Sequence, residues 1–298
     1  MSKNYYRTDF IDELVETNNE TEYFTQQIRN YNSIKTNHIL LKKNHKSIGK
    51  PIGDYFSISF NSTHEKNQRE DLENVIIKNL HFLYNKFNIT NDSKVLVVGM
   101  GNQHITPDAL GPQVIKKIMI TNHLFLEKHL SSNEVLRVSA IIPGVMGTTG
   151  LETSDIIKGV VKQFKPDLVI CIDALATKSL TRINKAIQIS DTGISPGSGI
   201  GNRRKRIDYK TLNCPVLTIG VATVVDSLSM FYEFLDFTSE IIKLNLTNTK
   251  IKKINKTLIE EEMHLIVTPK EIDEDIKNLS EVIANSLNKS LHHNFNNL

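Results

Sequence analysis

Hydrophobic positions along this 298-residue chain fall into two alternating patterns between residues 94 and 237. Short aliphatic runs bounded by turn formers, such as Val95-Leu96-Val97-Val98 and Leu168-Val-Ile-Cys-Ile172, read as strands buried on both faces. Strands are expected at 94–99, 135–142, 167–172, 185–190 and 215–220. Between them, helical spacing predicts helices over 109–120, 153–164 and 223–235, with Thr153 and Ser154 as the N-cap of the second. Strands alternating with helices of this length predict an α/β fold: a mostly parallel, twisted sheet with helices on both faces. This core is taken as 94–240.

Outside the core the pattern is weaker. Residues 1–35 are polar and irregular, with one amphipathic stretch around Phe10-Ile11 and Leu14-Val15. A smaller β-containing portion, about 36–62, carries Ile39-Leu-Leu41 and Tyr55–Phe60, separated by the turn-rich Gly49–Asp54. Leu72, Val75, Ile76, Leu80, Leu83 and Tyr84 keep helical spacing over 70–87. The basic stretch 247–256 reads as an exposed loop or insertion. Thr268-Pro269 then opens a C-terminal helix, about 269–292, with acidic residues near its positive end.

Composition narrows the function classes. The chain has 36 basic and 33 acidic residues, a net charge of +3, too balanced to imply nucleic-acid or anionic-membrane binding by the whole molecule. No segment has the roughly 18 uninterrupted apolar residues of a membrane span, and the N-terminus lacks a secretory apolar stretch. Cys171 and Cys214 are too few for a disulfide scaffold and read as reduced packing residues. A cytoplasmic protein is the expectation.

The residues that could carry chemistry sit at strand ends. Asp173 closes an apolar strand, and Asp108 lies in the loop Gly99–Pro112 after another. Ligands in open α/β sheets bind beyond the carboxyl ends of the strands. Two carboxylates brought there can share a proton, one activating water while the other protonates the carbonyl or amine. The alternative is that each merely caps a helix. Gly99-Met-Gly101 resembles the start of a dinucleotide fingerprint, but His104 stands where the third glycine belongs, and glycines of a tight turn are the plainer account.

Asp191-Thr-Gly193 matches the catalytic turn of pepsin-like proteases within a β/α alternation. A turn Asp bonding its own backbone is the default there. No His-Glu-x-x-His occurs, and no histidine lies between His129 and His264. His104 alone stands near Asp108 as a ligand or acid, with a plain loop histidine as the alternative. The segment Pro196–Arg206 is Gly-rich and then strongly basic, either a recognition element for acidic groups or a solvated turn.

The strings that surround these residues extend across nearly the whole chain. Val97-Val-Gly-Met-Gly-Asn102 with Thr106–Pro112, Pro143-Gly-Val-Met-Gly147, Gly150–Asp155, Ile172-Asp-Ala-Leu-Ala176, Ile187–Gly193 with Pro196–Gly199, and Val267–Asp273 together resemble the spore germination protease family. These endopeptidases degrade small acid-soluble spore proteins. The resemblance implies a fold akin to hydrogenase maturation endopeptidases, with Asp108 and Asp173 as the catalytic pair. Those related enzymes hold a metal with two carboxylates and a histidine; the missing core histidine favours a metal-independent reading here, with no cofactor. A metal-dependent maturation-type endopeptidase, or a non-catalytic relative that binds spore proteins, is the alternative.

The resemblance further implies a zymogen, trimmed at a site like its substrates, after an acidic residue. Arg7-Thr-Asp-Phe-Ile11 looks like that site, with cleavage between Asp9 and Phe10. Residues 1–9 would then be a propeptide and 10–298 a single peptidase domain. It also implies a homo-oligomer, with a tetramer as the candidate, acting in the spore core without nucleic-acid or membrane partners. An acidic residue before the cut calls for a cationic pocket, for which Arg203, Arg204, Lys205 and Arg206 are the candidates.

Overall fold

A computed structural model describes residues 8–16, 22–46, 48–127, 129, 135–197, 204–242, 247–260 and 265–292. One sheet runs through the nine strands among them: β1 (Phe24–Tyr31), β2 (Ile34–Leu41), β3 (Gly53–Ser59), β4 (Lys94–Gly99), β5 (Arg137–Ile141), β6 (Leu168–Thr177), β7 (Ala186–Ser190), β8 (Val216–Asp226) and β9 (Ile266–Val267). The order is β1-β2-β3-β7-β8-β6-β4-β5, with β9 paired to the end of β8.

The α/β class is as expected, but the sheet is mixed rather than mostly parallel. Only β5, β4, β6 and β8 run parallel, while β8–β7–β3–β2–β1 and β9 pair antiparallel. The connection between β6 and β7, residues 178–185, holds a single 3-10 turn (Leu180–Arg182). That is too short for the crossover helix a parallel return needs, so β7 comes back antiparallel beside β8. Apolar periodicity reports which faces are buried, not which way a strand points.

Alternation along each central strand feeds two cores. From β4, Val95 and Val97 pack with the helices Lys66–Lys86, Leu110–Ile115 and Ile272–Leu291 on one face. Leu96 and Val98 pack on the other, with Ile157 and Val161 of the helix Thr153–Phe164 and Leu212 of Tyr209–Leu212. Burying each aliphatic side chain is worth about 1.5–3 kcal/mol. The helices need this, because their sequences are otherwise polar.

Several sequence-based boundaries shift. The helix expected over 223–235 spans Ser227–Ile242, because the β-branched run Thr223-Val-Val225 extends β8 to Asp226. The helix expected over 109–120 covers only Leu110–Ile115. Beyond it Asn288 takes over the backbone, accepting from Met119 N–H at 2.7 Å and donating to Lys117 O at 3.3 Å. The supposed loop 247–256 is part of a helix, Asn248–Glu260, with Ile251, Ile254 and Leu258 at helical spacing. Thr153 is the first helical residue rather than the cap; Glu152 is the N-cap, and the Thr153 hydroxyl donates instead to Gly144 O. The irregular N-terminal region contains β1, which is exposed after Phe24 and so carries no apolar alternation to find. No helix among the described residues is long and apolar enough to cross a membrane.

Candidate active site

Asp108 is placed by a loop that doubles back on the end of β4. Gly101 has φ of +101°, and a Cβ there would lie 2.0 Å from the Asp108 carbonyl oxygen. At Gly111 a Cβ would meet Met100 N at 2.4 Å and Ile172 O at 2.6 Å. The helix Leu110–Ile115 therefore rests directly on the strand ends, which only a residue without a side chain permits. The 3-10 turn Thr106–Asp108, with Pro107 at its start, then sets Asp108 above β4 and β6. Its Oδ2 accepts the Asn102 N–H at 2.7 Å. Burial raises its pKa, and that hydrogen bond opposes the rise.

Asp173 sits within β6, which runs on to Thr177 rather than stopping at residue 172 as expected, and it shares a face with Cys171 and Val169, two and four residues before it. It pairs across the sheet with Gly220, which in turn pairs with Gln188 of β7, so Asp173 and Gln188 share one face. Asp173 is buried, and its Oδ1 accepts the Ala174 N–H at 3.0 Å. Burial pushes its pKa well above the usual carboxylate range, the Asp108 charge adds to this, and Asp9 contributes a further small push. The two aspartates line one cleft of about 550 Å³, together with Met100, Gly144, Thr223, Arg204 and Asp9. Among the described residues neither Asp108 nor Asp173 has a cation within ion-pair distance.

The chain's own N-terminal segment runs into this cleft. The Asp9 N–H donates to Ala176 O at 2.9 Å, and its Oδ2 accepts the Ala176 N–H at 3.0 Å. The Gln188 side-chain amide bridges the same segment, donating to Asp9 O at 3.0 Å and accepting Ile11 N–H at 2.7 Å. Phe10 is fully buried with Leu175, Ala186 and Ala222, and the Arg182 guanidinium lies 4.6 Å over its ring. Arg182 also pairs with Asp12 and Glu13 of the helix Ile11–Val15. The stretch that reads as a cleavage site is thus seated against the acid pair.

The basic run divides. Arg203 lies outside the described residues. Arg204 lines the cleft, with Nη1 3.0 Å from Met146 Sδ and 3.7 Å from Glu152. Lys205 is exposed and pairs with Asp155 at 2.9 Å, lining neither this cleft nor the cavity beside it. Arg206 lines that adjoining cavity and donates to Thr192 O at 2.6 Å.

Asp191 is part of another arrangement. It accepts the Asp54 N–H at 2.8 Å and pairs with Lys86, rather than bonding its own backbone, and it does not line the cleft of the acid pair. His104 is exposed and its ring approaches Gln103 rather than Asp108. Both cysteines are free and buried, as packing residues should be. Two residues at the site escaped the sequence reading. Gln188 left a faint signal, a polar side chain within the apolar Ala186–Ile189; Lys50, in a turn, left none.

An α/β protein with one aspartate buried within a parallel strand and a second, half-buried, in the loop after the neighbouring strand has the layout of a hydrolase. Comparison with known proteins identifies which. The germination protease family model matches residues 6–246 and 241–298. A germination protease of Caldanaerobacter subterraneus subsp. tengcongensis is 44% identical over 269 residues, covering 85% of this chain and 82% of its own. Those of Priestia megaterium and Oceanobacillus iheyensis are 40% and 36% identical, covering 83% and 93% of this chain and 80% and 89% of theirs. The chain belongs to the germination protease family.

Proposed function

We propose that this protein is an endopeptidase of spore germination, cutting small acid-soluble spore proteins after an acidic residue with Asp108 and Asp173 as the catalytic pair. The observation that carries this reading is the shared cleft in which both carboxyl pKa values are raised. Asp173, the more deeply buried, holds the proton; Asp108, hydrogen-bonded to Asn102 N–H, is the ionised member. Asp108 takes a proton from water, whose oxygen bonds to the scissile carbonyl carbon while Asp173 gives its proton to the carbonyl oxygen. As the C–N bond breaks, one hydroxyl of the tetrahedral intermediate returns its proton to Asp173 while the carbonyl re-forms, and Asp108 gives its proton to the leaving nitrogen. The pair is then an atypical aspartic site on an α/β sheet, in the manner of the hydrogenase maturation endopeptidases.

The seating of Thr8–Ile11 supports the reading of residues 1–9 as a propeptide and of a self-processing zymogen cut between Asp9 and Phe10. Phe234 and Phe237, 52% and 78% exposed on the helix Ser227–Ile242, support assembly into an oligomer, with a tetramer as the candidate. The site of action is the cytoplasm of the spore core. Incubation with a purified acid-soluble spore protein, read by mass spectrometry, should give new N-termini following Glu or Asp. Asp108→Asn and Asp173→Asn should each abolish them without altering the melting transition's cooperativity. An intact substrate with the unaltered protein, or cutting by both variants, overturns the proposal.

A further inference from the structure

Asp9 borders a second cavity, of about 260 Å³, on whose wall Lys50, Tyr55, Gln188, Ser195 and Arg206 meet. Lys50 Nζ lies 3.8 Å from Asp9 Oδ1, with side chains 21% and 10% exposed. Burial lowers the Lys50 pKa, the Asp9 carboxylate opposes that, and the positive charge of Arg206 adds to it. Two cations facing one small cavity repel each other and lose water, so an anion seated there relieves both costs. Arg206 is held in place by Thr192 O, Ser195 Oγ at 3.2 Å and Asp208 at 3.1 Å, so the charge is fixed before any ligand enters. Lys50 follows Gly49, whose φ of +62° turns the chain, and precedes Pro51, whose carbonyl accepts the Tyr55 hydroxyl at 2.7 Å.

The backbone of the seated segment is read separately from its side chain. The Ala176 carbonyl accepts the N–H of residue 9, and the Gln188 amide takes the carbonyl of residue 9 and the N–H of residue 11, whereas the Ala176 N–H is taken by the Asp9 carboxylate itself. The bonds to the backbone suit an extended segment of any sequence. The Asp9 side chain alone distinguishes one sequence from another at this position.

We infer that Lys50 and Arg206 form the pocket that selects a carboxylate side chain immediately before the cut bond, with Gln188 clamping the backbone across that bond and Asp9 as the resident occupant. This rests on the peptidase reading above, and it shifts charge selection from the four-residue basic run to Lys50 with Arg206. Release of residues 1–9 then empties the pocket for a Glu or Asp of another chain.

The test is self-cutting of the full chain, followed by mass spectrometry, in parallel with urea unfolding. Asp9→Glu should cut near the unaltered rate, whereas Asp9→Asn and Lys50→Met should each slow it about tenfold or more. The double variant should be no slower than the worse single one. Asp9→Lys combined with Lys50→Glu should recover rate relative to either alone. Lys50→Met cutting at the unaltered rate, or strictly additive losses, overturns the pocket. If the unaltered chain never cuts after Asp9, self-processing fails instead, and the urea cycle decides the pocket. A coupling between positions 9 and 50 in the unfolding midpoints upholds it, and zero coupling overturns it.

Discussion

Asp54 and Asp173 are each 5% exposed, on strands three places apart in one sheet, yet their pKa values move in opposite directions. In the antiparallel half, burial raises Asp54, but hydrogen bonds from His38 and Lys86 and the charges behind them outweigh it, and the net shift is downward. Lys86 Nζ sits 2.6 Å from Asp54 Oδ2 and also pairs with Asp191, while His38 Nε2 is 2.6 Å from Asp54 Oδ1. In the parallel half, Asp173 meets a backbone N–H and a second carboxylate, and its shift is upward. Low solvent exposure alone therefore does not fix the direction in which an aspartate's pKa moves. Opposite charges around Asp54 favour its ionised form, whereas burial and a second carboxylate favour the protonated form of Asp173.

The contrast can be broken most severely by giving the acid pair the cation it lacks. Val224 lines the cleft, and Val224→Lys should ionise both carboxyls and lower peptide cleavage about a hundredfold or more, as loss of a general acid does. Cleavage rates that stay within a few-fold of the unaltered protein would mean the pair's proton is not used.

The converse change removes the cation beside Asp54. Lys86→Met leaves Asp54 and Asp191 facing each other, and urea unfolding should show a loss of about 1–3 kcal/mol. This is below the cost at a fully buried pair because Lys86 is 41% exposed. Cleavage by the same variant should change little.

The smallest effect is one of sign. Asp54, depressed, contributes stability above the ordinary carboxylate range, and this is lost as pH falls through its lowered value. Asp173, raised, contributes stability that is fully present below about pH 4 and lost as pH rises toward its folded value. Asp173→Asn should therefore melt higher than the unaltered protein at neutral pH, and the gain should vanish by about pH 4. Asp54→Asn should melt lower at neutral pH and converge only in acid. Parallel curves for the two variants would erase the distinction between the halves.

Much of the parallel half was legible in the sequence. Strands buried on both faces must be apolar throughout, so β4 and β6 announce themselves, and an Asp ending such a run stands out. The helix Thr153–Phe164 fell where its spacing put it. The antiparallel half was harder. β1 is an exposed edge whose residues answer to water, and the helix Asn248–Glu260 looks like a polar loop until its spaced isoleucines are set on a helix. The basic run 203–206 drew attention as a block, although a shared charge says nothing about where each side chain is sent. Arg204 and Arg206 line different cavities, and Lys205 points to Asp155.

By itself the sequence determined the family, the layered α/β architecture and which two aspartates interrupt or follow apolar runs, because burial on two faces and turn glycines leave local marks. Strand direction, the row that sets Gln188 beside Asp173, and the approach of Lys50 to Asp9 were decided only by the tertiary structure. These depend on contacts between residues far apart in sequence, such as Lys50 with Asp9 and Asp9 with Ala176, and no local pattern of apolar and polar residues encodes such a pairing.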